Sequence, residues 1–351
     1  MSATNDKDGI LAVENIALIH ASQTLPFIEY LENNGCPTEH LLQKARLPLA
    51  LLDRVDGFLP EKQLWKLLDV VADSEGLNDY GLRVGKEIDI QALIGGLVSR
   101  LAQQPTLHSV LDTFCQLVKE ESSDAQFWVS TSMDGKHHWF CRGGVPGIQT
   151  GQREAEQYAL LLMVELIRLV TCSNWQPKHV HLQTSDKGAY KDCKLFNHCN
   201  VDFGQTRTAI EIPAYIANTL DNPAWYNNQR SLEANMDAAK QKQPAKDFAG
   251  SLSQVLEFYL QEGSTDINTA AEIVGVSART LQRRLAKEGL GFSQLVDKAR
   301  FKHSIPLLKD KNNKLIDVAY DLGYSDPAHF SRAFKRWAGI SPREFRRQHA
   351  L

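Results

Sequence analysis

Arg279, Gln282, Arg283 and Lys287 fall within one short segment, S-A-R-T-L-Q-R-R-L-A-K-E-G, which opens at Ser277 and stops at Gly289. At helical spacing Leu281 and Leu285 share one narrow apolar face, and the four polar side chains turn away from it, mostly together. Such a face suits a DNA major groove. An Arg fork reads guanine through two hydrogen bonds, a Gln amide reads adenine, and further cations hold phosphates. Taken singly, a basic helix is more often an ordinary solvated surface. Here the pattern comes twice: His329, Ser331, Arg332, Lys335 and Arg336 occupy the outward positions of a second segment whose Phe330, Phe334 and Trp337 face inward. A last short helix opens at Ser341-Pro342 and carries Arg343, Arg346 and Arg347, a cationic end fit for phosphate contact.

The elements that must present these side chains repeat as well. Ala271-Glu-Ile-Val-Gly275-Val276-Ser277 precedes the first basic helix, and Ala319-Tyr-Asp-Leu-Gly323-Tyr324-Ser325 precedes the second. A small residue four before a glycine allows close approach of two helices. The glycine takes the tight turn, and Ser277 or, in the second copy, Asp326 (or Ser325) caps the next helix, with Pro327 at its first position. Two such patterns in register, each leading into a basic helix, point to paired helix-turn-helix units. Between them, Gly291 to Leu308 is apolar-periodic through Phe292, Leu295, Val296 and Ala299. As a helix it would be about 27 Å long, which with its flanking turns separates the reading helices by about one duplex turn. Pro306 inside it predicts a kink or an early end.

Ala271-x3-Gly275-x-Ser277, Ile316-x-x-Ala319-x-x-x-Gly323-Tyr324, Phe330-Ser331-x-x-Phe334-Lys335 and Gly339-Ile340-Ser341-Pro342-x-x-Phe345-Arg346 resemble the C-terminal signature of AraC/XylS-type bacterial transcription regulators, over roughly residues 248–349. The resemblance implies two helix-turn-helix units on one linker helix, entering successive major grooves of duplex DNA. Carried over position by position, it implies base reading by Arg279, Gln282 and Arg283 in the first unit and by His329 and Arg332 in the second. Arg284, Lys287, Lys335, Arg336, Arg343, Arg346 and Arg347 are the candidate phosphate contacts, and Gly275 and Gly323 the turns.

The N-terminal part reads as helices framing a small sheet. Ser22–Asn34, Pro60–Ser74 and Thr106–Glu120 are amphipathic, and Gln152–Cys172 is apolar on most faces. Ala125–Thr131 and His137–Cys141 flank Met133-Asp134-Gly135-Lys136, a hairpin signal, while His179–Gln183 and Thr208–Ile212 look like further strands. The expected fold is an α+β N-terminal domain, helices around a small antiparallel sheet, followed by an all-α C-terminal domain. Gly81-Leu82-Arg83-Val84-Gly85, Gly95-Gly96-Leu97, Pro105-Thr106-Leu107, Trp175-Gln176-Pro177 and Phe203-Gly204 resemble, more loosely, the sensor half of the AraC-type subgroup that includes the ornithine-utilisation regulators. That resemblance implies a small-molecule effector, a homodimer and RNA polymerase as partners, and it leaves the effector-binding residues unknown. The expected division is 1–230 for sensing and dimerisation, a polar 231–246 linker, and 247–351 for DNA binding.

Charge follows this division. Residues 245–351 hold 17 Lys+Arg against 12 Asp+Glu, whereas residues 1–244 hold 22 against 30, so a net charge of −3 conceals +5 on −8. The opening M-S-A-T-N-D-K-D-G lacks the pattern of a signal peptide, and the longest apolar run, Tyr158 to Val170, carries Glu165 and Arg168. A cytoplasmic protein without a membrane span is expected. Among six cysteines, those near His179, His181 and His198, namely Cys193 and Cys199, have ligand chemistry for zinc or copper. Ordinary packing outweighs that reading, since there is no C-x-x-C and the two histidines alternate as strand residues do. A metal-dependent enzyme or transferase fused to a DNA-binding module is the alternative function. No nucleophile–base pair, nucleotide loop or paired-carboxylate motif supports it, so neither a catalytic residue, a metal nor a cofactor is expected.

Overall fold

The computed structural model describes residues 15–145, 148–171, 174–191, 193–218, 243–260 and 266–349; Cys172 and most of the expected linker (231–242) lie outside the described residues. Among the described residues the first elements are β1 (Leu18–His20), α1 (Leu25–Asn33), α2 (Thr38–Ala45), β2 (Phe58–Pro60) and α3 (Glu61–Glu75). Next come α4 (Tyr80–Lys86), α5 (Ile90–Leu93), α6 (Gly95–Leu101), α7 (Leu107–Leu117), β3 (Phe127–Thr131) and β4 (His137–Arg142). Then follow α8 (Gln152–Val170), β5 (His179–His181), β6 (Asn200–Asp202), β7 (Thr208–Pro213) and α9 (Ala214–Ala217). The expected amphipathic helices fall on α1, α3 and α7, and the central one on α8. Local chemistry explains their ends. Thr106 and Ser109 form a reciprocal capping box at the start of α7, and Gly76, at φ 66°, ends α3.

β3, β4, β7, β5 and β6 lie in that order in one sheet. Every pairing is antiparallel except β5 with β6, so the sheet is mixed, not purely antiparallel as the patterning suggested. The connection from β5 to β6 through Tyr190 and Phe196 is long enough to bring the chain back in the same direction, which a two-residue hairpin cannot do. Alternation along the strands turns Phe140, Val180, Ile210 and Ile212 to the buried face, against α8. β1 and β2, three residues each and not anticipated, form a separate antiparallel pair.

α8 is central because almost all of its faces are covered. Its buried carboxylate Glu156 is satisfied, accepting hydrogen bonds from the Gln183 and Thr184 backbone N–H groups at 2.6 and 3.0 Å and from the Thr208 hydroxyl at 2.5 Å. The Gly81-Leu-Arg-Val-Gly85 stretch is where α4 presses onto α8. A Cβ at Gly81 would stand 2.0 Å from the Glu154 carbonyl oxygen, and one at Gly85 2.7 Å from a Leu161 methyl.

The C-terminal part is helical: α10 (Phe248–Tyr259), α11 (Ile267–Val274), α12 (Ala278–Lys287), α13 (Phe292–Lys309), α14 (Leu315–Asp321), α15 (Pro327–Ala338) and α16 (Pro342–His349). The linker helix α13 does not end at Pro306 but runs on to Lys309. The following turns hold Leu308 fully buried beside Phe330 and Phe334, and that burial outweighs one lost backbone bond. Two cores result. Leu308, Val318, Ala319, Leu322, Phe330 and Phe334 form one under α14 and α15. The other helix-turn-helix unit has no core of its own: Leu281, Leu285, Leu295 and the α10 residues Leu252, Val255 and Phe258 join the core of α1, α2, β2 and α3.

Candidate nucleic-acid interface

Both expected turns form by one mechanism. Gly275 and Gly323 adopt φ of 76° and 75°, which only glycine takes without steric cost. The N–H of the residue after each glycine then reaches back to the alanine carbonyl five positions earlier, Val276 to Ala271 at 2.9 Å and Tyr324 to Ala319 at 3.0 Å. The Ala-x3-Gly-x spacing is therefore the hydrogen-bonding frame of a helix end, used twice. Ser277 caps α12 by accepting from the Thr280 N–H at 3.1 Å, and Asp326 caps α15 by accepting from the Ala328 N–H at 2.8 Å.

On α12, Leu281 and Leu285 are buried, while Arg279, Gln282, Arg283 and Lys287 are exposed. On α15, Phe330 and Phe334 are buried, while His329, Arg332 and Lys335 are exposed; His329 lies 3.7 Å from the capping carboxylate of Asp326. Among the described residues Arg279, Gln282, Arg283, Lys287, Arg332, Lys335 and Arg343 have no side-chain hydrogen bond or ion pair, so their donors are free.

The remaining cations of the expected phosphate set each have a partner within the chain, Arg336 and Arg347 while staying exposed. Arg284 is half-buried with its guanidinium 5.2 Å from the Phe248 ring, and burial together with the Arg283 charge pulls its pKa down. Arg336 pairs with Asp297 of the linker helix at 2.6 Å. Arg346 donates to the Leu308 carbonyl at 3.2 Å, fastening α16 to the end of that helix. Arg347 stays exposed, 3.8 Å from Glu344. A sequence periodicity counts these cations as outward; the neighbours that claim them come from elements up to about forty residues away.

The first unit is held against the N-terminal body on the side away from its basic face. Gln63 of α3 donates from its side-chain amide to the Ile273 carbonyl at 2.6 Å, and Lys62 packs so closely on Gly275 that an added Cβ would stand 2.9 Å from its ammonium. Arg46 pairs with Glu272, the Tyr259 hydroxyl donates to the Arg46 carbonyl at 2.9 Å, and the Arg54 guanidinium lies 4.6 Å from the Phe258 ring.

The Cys/His group weighed as a metal site is not gathered. His179 and His181 do meet, but with Asp202: its carboxylate lies 2.8 Å from His179 Nε2 and 3.5 Å from His181 Nε2, and the Trp139 ring stacks on His181. Cys193 is buried in the apolar core, His198 is exposed, and Cys199 donates weakly to the Asn200 carbonyl. Asp202 escaped notice because β6 carries only three residues and no periodic signal.

Two helix-turn-helix units carried by one linker helix, each turning a basic face outward, define a double-unit DNA-binding protein. Residues 270–348 match the helix-turn-helix domain model, and residues 35–220, more than half of the chain, match the model described as the arabinose-binding domain of AraC transcription regulator, N-terminal. The chain belongs to the AraC family of transcription regulators. Over nearly its whole length it is similar to the regulator VirS of Mycobacterium tuberculosis, 21% identical over 337 residues, 94% of this chain and 96% of VirS. It is 39% identical to the regulator VqsM of Pseudomonas aeruginosa over 100 residues, 28% of this chain and 31% of VqsM, so that match spans less than a third of the relative. The ornithine utilization regulator of the same organism is 32% identical over 81 residues, 23% of this chain and 24% of that protein. The solved structure of CdpR from Pseudomonas aeruginosa is a loose likeness, with a TM-score of 0.41, 20% identity, and 93% and 98% of the two chains covered. Among the described residues no helix is long and apolar enough to cross a membrane.

Proposed function

We propose that this regulator is controlled by a small molecule taken up by the N-terminal body, which alters how the two helix-turn-helix units meet duplex DNA. In this reading Arg279, Gln282 and Arg283 read one major groove and His329 and Arg332 the next. Lys287, Lys335, Arg343 and Arg347 hold phosphates. Arg284, Arg336 and Arg346 act mainly by fixing the helices that carry the readers. The division at 231–246, a homodimer, contact with RNA polymerase and a cytoplasmic setting belong to the same proposal.

One observation carries it. The first unit shares its hydrophobic core with α3 and β2, so a change in the N-terminal body is a change in the footing of the unit. The second unit has a separate core and joins the first through α13. A ligand that repacks α3 would thus reorient one reading helix relative to the other, which is a change of half-site geometry.

The test is a mobility-shift and footprinting series on the full chain, with DNA drawn from upstream of its own and neighbouring genes. Two protected segments about one duplex turn apart on one DNA face are expected. Protection of a single segment, unchanged by Arg332→Ala, would refute paired reading.

The alternative of a metal-dependent enzyme rested on the Cys/His group. With Cys193 in the core and His198 at the surface, that ligand set no longer favours it.

A further inference from the structure

Between α1, α3, α7, β3, β4 and α8 lies a cavity of about 120 Å³, comparable to the benzene-sized voids of protein interiors. Most of its wall is apolar: Phe27, Leu64, Leu68, Phe114, Phe127 and Leu162 among others. Set into this wall is Arg142, the last residue of β4, only 7% exposed. Trp65 flanks its guanidinium at 5.6 Å, and among the described residues no group gives it a hydrogen bond or an ion pair. Glu156 and Glu61 are the opposite charges that act on it, and neither comes within ion-pair distance.

An arginine stays charged in a protein, and a buried charge without a partner is costly to the fold. Arg142 lines both this cavity and a neighbouring polar pocket beside Glu154 and Glu156, and N–H donors without a protein partner are an unexplained expense in the fold unless something anionic enters. A second buried donor shares the wall. The Tyr158 hydroxyl has no hydrogen-bond partner, while its ring packs on Phe27 at 4.6 Å. Two carboxyl groups share the wall: Glu61 accepts from Ser122 and from the Trp65 indole and Glu121 from Gln23, and burial pushes the pKa of both up, which favours their neutral forms.

We propose that this cavity binds a small monocarboxylate with an apolar body, the carboxylate on the Arg142 guanidinium with the Tyr158 hydroxyl as further donor, and the body, a ring or a short chain, among Leu64, Leu68, Phe114 and Leu162. The planar fork of arginine matches a carboxylate through two parallel hydrogen bonds. A sugar fits the wall poorly. Its hydroxyls would each need a polar partner in a lining that offers mainly hydrocarbon. The inference rests on the effector-control reading for its consequence but not for its chemistry. α3 links the two, because Glu61, Leu64, Trp65 and Leu68 line the cavity while Gln63 and Lys62 of the same helix hold the turn of the first DNA-binding unit.

The sequence hid this site. An arginine closing a strand reads as a solvent-facing end, and Glu61 after Pro60 reads as an acid in a first helical turn.

The test uses the full-length protein, with melting temperature and tryptophan fluorescence as readouts. Phenylacetate and hexanoate are the probes; phenylacetamide, hexanamide, L-arabinose and inorganic phosphate are the controls. Each carboxylate that binds should raise the melting temperature, its amide should not, and Arg142→Gln should weaken binding by about tenfold or more. Tyr158→Phe should weaken it by a smaller factor. Ala159→Phe, which fills the void and leaves Arg142 in place, should abolish binding and so guards against a misfolded Arg142 variant. Equal binding of amides, preference for arabinose, binding of phosphate alone, or no carboxylate bound at about 10 mM would each overturn the proposal. DNA affinity is measured on the same samples. A carboxylate that binds without changing it would leave the cavity assignment standing and overturn effector control instead.

Discussion

Replacing Glu61 by glutamine is expected to stabilise the protein, and by an amount that depends on pH. Glu61 stands at the start of α3, 5% exposed, with its carboxyl pushed up from 4.5 to about 7 by burial. The hydrogen bonds from Ser122 and Trp65 and the charge of Arg142 oppose that rise, and Asp124 adds to it. The difference between 4.5 and about 7 corresponds to about 3 kcal/mol between the protonated and ionised forms in the folded chain. Between these two values the folded protein holds a proton that the unfolded chain has released. Stability from this group is therefore greatest below about 4.5 and declines as pH rises to about 7, beyond which the full penalty of the buried charge remains. Glutamine imitates the neutral acid: its oxygen can accept from the Trp65 indole and its amide can donate to the Ser122 hydroxyl, now 3.2 and 2.9 Å from the carboxylate oxygens. Thermal melting of wild type and Glu61→Gln at pH 5 and pH 8 should show near coincidence at the lower pH and a gap of roughly 5 °C at the higher. A gap of the same size at both pH values, or a variant less stable at pH 8, would show that burial does not govern this carboxyl.

Arg283→Ala should remove preference at one base step, about 1–3 kcal/mol if the fork is bidentate to guanine, whereas Lys335→Ala should weaken all sequences alike and shallow the salt dependence; binding titrations on specific and random duplexes at several salt concentrations separate the two. Gly275→Ala should destabilise by about 1 kcal/mol or more, because a Cβ there meets both a φ of 76° and the Lys62 ammonium, and a shorter residue at 62 should recover only part of the loss in a melting experiment. Arg346→Ala should lower the unfolding midpoint by the equivalent of about 1 kcal/mol as well as weakening DNA binding, since the side chain fastens α16 to the Leu308 carbonyl; unchanged stability would return it to a purely phosphate-binding role.

The two helix-turn-helix units were legible residue by residue because they are local structures. The Ala271-x3-Gly275 and Ala319-x3-Gly323 spacings encode a hydrogen bond between residues five apart, and Ser277 and Asp326 cap helices within three positions of themselves. Short-range geometry of this kind follows from residue type alone, as does the alternation that buries Phe140 and Ile210 in their strands. Which cations remain free for DNA was not local. Arg284, Arg336 and Arg346 share the periodicity of Arg283 and Lys335, and only the arrival of Phe248, Asp297 and the end of α13 separates them. The parallel pairing of β6 with β5 and the fusion of the first unit's core with α3 likewise depend on contacts across long sequence separations. Arg142 is the clearest case. Its type promised a solvated charge, and it became an unpartnered buried one because α3 and α8 close over the end of β4, an event that no window along the chain contains.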